Sequence, residues 1–252
     1  MTTTFSILEL DASRRLAMEK KGVWKPDSPV SLDRLRCVSF PHYNFVSEIH
    51  NGEIIVMDVL APYMLKFFEK LYELHFPINR AIPMEHYDGN DDASMADNNT
   101  SAYNCRTISR SDSWSLHAYG LALDLNPAQN PYIGNAYVNE EKNCGLLEVW
   151  PTKGVDYINR KLSSPGMVEP LVDFLHSYGL RDWGGNWIYA IDYHHFQTSR
   201  SIAELLAAMS APHAISFFEW YVKTGDTPES TMESLVDRYK NNPEGFMKKY
   251  SF

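Results

Sequence analysis

Residues 115–126 read Ser115-Leu116-His117-Ala118-Tyr119-Gly120-Leu121-Ala122-Leu123-Asp124-Leu125-Asn126. Leu121, Leu123 and Leu125 alternate with Ala122 and Asp124, a period of two that predicts a strand with one apolar face. Asp124 then lies away from the leucines, on the side of Gly120 and Ala122, whose nearly bare positions leave room for a ligand or a metal ion. His117 comes just before the strand, where a turn can return its ring alongside Asp124. Downstream, Trp183-Gly184-Gly185-Asn186-Trp187 is followed by Asp192-Tyr193-His194-His195-Phe196, which can supply a further imidazole. Two imidazoles and one carboxylate leave a fourth zinc position open, as catalytic zinc requires. Asp192, three residues before His195, is the candidate to exchange a proton there without being a ligand. Taken singly, each residue also has a plain structural use. Asp124 could cap a turn, His117 could be an ordinary half-buried histidine, and His194–His195 could belong to an aromatic core strand.

The rest of the chain bounds this reading. Of 252 residues, 44% are hydrophobic and 13% aromatic, enough for one sizeable core and a small second lobe. Asp and Glu number 32 against 23 Lys and Arg, and no basic block is present, which disfavours a nucleic-acid partner. An acidic chain gains nothing from general attraction to an anionic polymer, so such a substrate must be recognised locally. Cys37, Cys105 and Cys144 are far apart, odd in number and without a CxxC, which argues against a disulfide framework or a thiolate zinc site. Three reduced cysteines are expected, with one disulfide as the alternative. The N-terminal residues lack the basic-then-apolar run of a secretory signal, and the apolar runs are too short to span a bilayer.

Along the chain, residues 1–50 read as mixed helix and loop, with prolines at 26, 29 and 41. Glu53–Met57 reads as a strand. Pro62 to about His75 reads as a helix, with Met64, Phe67, Phe68, Leu71 and Tyr72 on one face. Asp88–Ser101 reads as a solvated or substrate-lining loop; its acidic residues do not fit EF-hand spacing. Residues 128–166 read as long and irregular. Val168–Tyr178 reads as a helix ended by Gly179, and Trp183–Gln197 as partly β. From residue 201 the pattern is helical: Ile202, Leu205, Leu206 and Met209 form one stripe, Phe217, Phe218, Tyr221 and Val222 a second. A third segment starts at Thr227–Glu229, with Met232, Leu235, Val236 and Tyr239 inward. The expected division is residues 1–200, with the motifs in about 50–200, followed by a helical extension over 201–252.

Together the two motif stretches resemble the zinc D-Ala-D-Ala carboxypeptidase and L-alanyl-D-glutamate endopeptidase family, of the hedgehog/DD-peptidase fold superfamily. Its signature, S-x-H-x-x-G-x-A-x-D with a later acidic-x-x-His, is met by Ser115, His117, Gly120, Ala122 and Asp124, then Asp192 and His195. Asn99–Arg106, Asn126–Tyr132, Trp183–Trp187 and His195–Gln197 look like the endopeptidase branch. The resemblance covers roughly residues 50–200. It implies an α+β fold in which a small antiparallel sheet, flanked by helices, carries the site. It also implies a zinc metallopeptidase, a hydrolase of peptidoglycan stem peptides that degrades the cell wall, with His117, Asp124 and His195 as ligands to Zn2+ and Asp192 as catalytic base. Arg106 matches an arginine that binds substrate or stabilises the oxyanion; a surface salt bridge is its alternative. Ser115 matches a substrate-binding or site serine, with a turn cap as its alternative. The D-x-x-H spacing selects His195 over His194, and requires the chain to turn or bulge between Asp192 and His195, which an ideal strand would set on opposite faces. A D-alanyl-D-alanine carboxypeptidase, or a non-catalytic zinc-binding or partner-binding domain of the same fold, is the rival. With no visible secretory signal, the protein is expected to be made in a bacterial or phage-infected cytoplasm and to reach the periplasm or wall by lysis or a secretion machine. The helical extension could then pack on the catalytic part or bind an immunity or secretion partner.

Overall fold

The computed structural model describes residues 4–109, 111–136, 146–229 and 233–251. In chain order the elements are β1 (Ser6–Glu9), α1 (Ala12–Lys20), β2 (Leu35–Tyr43), β3 (Ile49–Met57), α2 (Ala61–Glu73), β4 (Arg80–Ala81), α3 (Asp91–Ala96) and β5 (Asn99–Thr100). There follow β6 (Ala122–Asp124), β7 (Tyr132–Ala136), β8 (Leu146–Trp150), α4 (Val172–Ser177), β9 (Asp182–Trp183), β10 (Ile191–Asp192) and β11 (His195–Gln197). The chain ends in α5 (Arg200–Ala208), α6 (Ala211–Thr224), α7 (Leu235–Asn241) and α8 (Pro243–Lys249). The fold is α+β. Three small antiparallel sheets have the orders β1-β2-β3, β10-β7-β8 and β6-β11-β9, and β4 and β5 form a short parallel pair.

The predicted strand at 53–57 lies in β3 and the predicted helix at 62–75 is α2. Met64, Phe67, Phe68 and Leu71 of α2 are buried, and Phe68 stacks on Phe40 of β2 with centroids 3.6 Å apart. Residues 1–50, expected as helix and loop, hold two strands. Pro41 is tolerated in β2 because β1 pairs only as far as Ser6↔Ser39, leaving β2 one partner at that point. Asp88–Ser101 is not all loop: Asn90 caps the short helix α3 by accepting from Ala93 N, and β5 follows. Residues 128–166 are more regular than their Asn, Pro and Gly content suggests, because β7 and β8 pair antiparallel. Residues 225–229 are not helical; α7 begins at Leu235, after a Ser234 cap, and Met232 lies outside the described residues. Cys37 and Cys105 are free and buried, and Cys144 lies outside the described residues. Among the described residues, no helix is long and apolar enough to cross a membrane.

One apolar cluster runs from Leu35, Val56 and Met57 through Leu121, Leu123 and Phe196 to Leu205, Leu206, Phe217 and Phe218. Two arginines tie the C-terminal helices to the rest. Arg34 forms a two-pronged pair with Asp58 (2.6 and 2.9 Å) and donates to the carbonyls of Leu206 and Met209 at the end of α5. Arg181 does the same for α6, donating to the carbonyls of Tyr221, Gly225 and Asp226. Cations at helix C-termini satisfy both the orphan carbonyls and the helix dipole.

The outer edge of β3 holds the site segments in place. Its Met57 N donates to Gly120 O (2.9 Å), and its Ile55 O accepts from Tyr103 N (3.0 Å). Gly120 is therefore not a bare strand position leaving room for a ligand. It closes the turn at Leu116–Tyr119 with φ +66°, and a Cβ there would stand 2.6 Å from Met57 N. Gly120→Ala combines a left-handed penalty with a backbone clash, so a loss of about 2–4 kcal/mol is expected in urea unfolding. Arg34→Ala, which strands a buried Asp58 carboxylate, is expected to cost about 3–5 kcal/mol by the same measurement.

Candidate metal centre

The site begins with strand register. His195 of β11 stands directly opposite Asp124 of β6. The N–H and C=O of Asp124 are both taken by Ser101 on the other side (2.8 and 3.0 Å). Asp124 and His195 are thus a non-hydrogen-bonded pair, the closer kind, with Cα atoms about 4.5 Å apart and side chains on one face. His117 enters from the turn before β6, as the sequence predicts. Ser115 caps that turn, its Oγ accepting from His117 N at 3.3 Å. This is the capping alternative for Ser115, a structural use.

Potential donor atoms of three residues converge. His117 Nε2 lies 3.2 Å from His195 Nδ1 and 3.2 Å from Asp124 Oδ2, and His195 Nδ1 lies 2.9 Å from Asp124 Oδ1. Ligands about 2.0–2.1 Å from a tetrahedral zinc stand about 3.3 Å from one another, so the spacing fits such an ion. All three residues are buried. The ring orientations fit too. His117 Nδ1 faces the carbonyl of Ala102, and His195 Nε2 faces Gln197 Oε1 at 2.8 Å. Both partners accept, so these nitrogens carry the protons and the lone pairs of His117 Nε2 and His195 Nδ1 face the cluster. Gln197 is fixed in turn by Asp182 (Nε2 to Oδ2, 2.6 Å), and Asp182 also accepts from Trp187 Nε1 (2.8 Å). His117, Asp124 and His195 could therefore hold a metal through a preformed set.

Asp192 and His195 come from different sheets. β10 pairs with β7, β11 pairs with β6, and the turn at Tyr193–His194 passes the chain between them. The chain thus turns between Asp192 and His195, as the spacing demanded. Gly184 lies under Asp192: a Cβ there would stand 2.4 Å from Asp192 O. Asp192 Oδ1 contacts His194 Nε2 at 3.0 Å, without an aligned N–H, so that oxygen keeps its capacity to accept. His194 Nε2 is also 4.0 Å from Asp124 Oδ2.

The charges reinforce one another. Burial opposes ionisation of Asp124, but His117, His194 and His195 outweigh it and hold its carboxyl well below the usual range. Burial likewise opposes a charge on His194, yet Asp192 and Asp124 push it up to about 9. For His195, burial is overcome by the hydrogen bond and charge of Asp124, with Asp192 adding, and its pKa is raised.

Residues 109–198 match the family described as D-alanyl-D-alanine carboxypeptidase. The family that the motifs resemble is the one that matches, and it is a family of peptidases. The matched segment contains Ser115, His117, Asp124, Asp192 and His195; Arg106 and the helices after residue 200 lie outside it. No curated protein and no solved structure matches the chain.

Arg106 is placed beside the cluster only through its backbone, which accepts from Ser115 N at 3.0 Å. Its guanidinium pairs with Asp91, whose other oxygen accepts from Asn104 Nδ2 at 2.8 Å. Among the described residues its remaining contact is Thr107 O at 3.5 Å. The salt-bridge alternative thus describes its position. Sequence reasoning gave no role to Gln197, Asp182 or the Ala102 carbonyl. Gln197 was findable, since residues i and i+2 of a strand share a face and it follows His195 by two. Gln197→Ala removes the acceptor that orients His195, and zinc affinity in a chelator competition is expected to fall about 10–100-fold with the fold retained.

Proposed function

We propose that this protein is a zinc peptidase that hydrolyses an amide bond in the stem peptides of bacterial peptidoglycan. The observation that carries the reading is the convergence of His117 Nε2, Asp124 and His195 Nδ1 at 2.9–3.2 Å, with the far nitrogen of each ring held by an acceptor. A structural zinc site is usually closed by four protein ligands, whereas three leave a position for water or substrate. Zinc supplies a Lewis acid for the scissile carbonyl and lowers the pKa of a water to about 7.

The residues of the chain divide the remaining work. Asp192 accepts the proton of the attacking water at Oδ1 and returns it to the leaving amine. Its side chain is largely buried, which keeps the carboxylate out of bulk water. His117 and His195 keep their outer nitrogens protonated toward Ala102 O and Gln197, so neither competes for that proton.

Two scissile bonds are in view. The family description favours removal of a terminal D-Ala. The endopeptidase-like stretches at 99–106, 126–132 and 183–187 favour a cut within the stem, such as after L-Ala. Arg106 meets Asp91 through Nε and keeps its outer guanidinium nitrogens for substrate in either case.

The test is digestion of purified peptidoglycan by the zinc-loaded protein, read by mass spectrometry. New fragments are expected that vanish with chelator and fall about 100- to 10,000-fold with Asp192→Ala. Fragments split between L-Ala and D-Glu identify the endopeptidase; loss of a single D-Ala identifies the carboxypeptidase. Intact peptidoglycan after treatment with folded, zinc-bound protein would sink the proposal in favour of a binding domain of the same fold.

A further inference from the structure

His194 neighbours the ligand His195 and has no part in the mechanism above. Its ring is buried, with 3% of the residue exposed. Nδ1 meets the backbone carbonyl of Asn130 at 2.8 Å, and Nε2 stands 3.0 Å from Asp192 Oδ1 and 4.0 Å from Asp124 Oδ2. The ring thus lies between the carboxylate of a ligand and the carboxylate that moves the proton.

The anchor behind it is firmly built. The buried side chain of Asn130 donates to the carbonyls of Leu125, Asn126 and Gly166, and its Oδ1 accepts from Val168 N at 3.0 Å and Arg160 Nη2 at 2.9 Å. Arg160 grips both oxygens of Glu169, donates to Gln129 O and lies 4.5 Å over the Tyr193 ring. The turn itself is pinned on both sides, with Leu125 N donating to His194 O and Tyr193 N to Pro131 O.

We propose that His194 is a positioning residue, which holds the Asp192 carboxylate at the metal centre from an anchor made by Asn130 and Arg160. Two carboxylates facing one site repel, and His194 Nε2 stands 3.0 Å from the carboxylate of Asp192. The ring of His194 stands between them, with Nε2 toward both carboxylates and Nδ1 against the carbonyl of Asn130. This rests on the reading of Asp192 as the group that transfers the proton.

The test compares His194→Phe, which keeps a ring without its nitrogens, with His194→Gln, which keeps a polar reach toward Asp192. In the zinc-loaded His194→Phe protein, kcat on the peptide substrate is expected to fall about 10–100-fold with KM and zinc affinity unchanged, and His194→Gln to recover most of the loss. A crystal structure of zinc-loaded His194→Phe should show the Asp192 carboxylate displaced while His117, Asp124 and His195 stay in place. An unmoved Asp192 overturns the proposal, and so does loss of zinc, which would make His194 a ligand. If His194→Phe does not fold, His194→Asn, with its shorter reach, replaces it in the comparison with His194→Gln. Failure of the peptidase reading shows separately, as an inactive parent protein, and the position of Asp192 in the crystal still decides the role of His194.

Discussion

The structure depends on one cross-strand pair. Asp124 and His195 are 71 residues apart in sequence, yet sit opposite each other because β6 and β11 align in a single register. A slip of one residue would replace this pair with one whose side chains face the leucine layer. That layer prevents the slip. Leu121, Leu123, Leu125 and Phe196 have no exposed surface, and Phe196 stacks on Trp183 of the neighbouring strand. The apolar face therefore fixes where the polar face puts Asp124 and His195. Packing energy thus sets the geometry of the His117, Asp124 and His195 cluster.

Around that pair, each polar group is oriented by something more rigid than itself. His117 leans on a backbone carbonyl, and His195 on Gln197, which is held by Asp182 and, through it, by Trp187. The turn bearing His117 is pressed against the backbone of β3 so closely that residue 120 can carry no side chain. The glycine at 184 serves the same end under Asp192. These are costs in chain entropy. They are offset by the core they lie on, in which the C-terminal helices share: Arg34 and Arg181 bind the ends of α5 and α6 to the sheets that carry the site.

How far this was legible in the sequence follows from the range of the forces involved. The alternation at 121–125 is local and strong, so the strand, the burial of the leucines and the exposure of Asp124 to the site could be read directly. The need for a turn between Asp192 and His195 also followed from period-two geometry. The strands of residues 1–50 were hidden because β2 carries Pro41 and a mixed polar pattern, and is stabilised by long-range pairing with β3 rather than by its own alternation. The β7–β8 hairpin was hidden by its Asn, Pro and Gly content. Gly120 was correctly singled out for the wrong cause: its bareness serves the backbone of β3, a contact 63 residues away in sequence that no spacing reveals. Gln197 stands two after His195 on the same face, so its contact with that ring is legible from strand periodicity.

The pair Arg106–Asp91 bears on which end of a peptide this site can grip. Arg106 is partly open to solvent and meets Asp91 through Nε, so its outer guanidinium nitrogens remain for a second carboxylate. Exchanging Asp91 for a substrate carboxylate swaps like for like, and such exposed pairs are worth only about 0–1 kcal/mol each. A peptide recognised by its free C-terminus would have to displace so weak a partner or share the guanidinium with it. A peptide bound along its length, by backbone and side-chain contacts on both sides of the cut, would not. On the proposed reading, Arg106 can therefore serve a cut inside the stem or at its end, and the contacts on both sides of the cut decide between them.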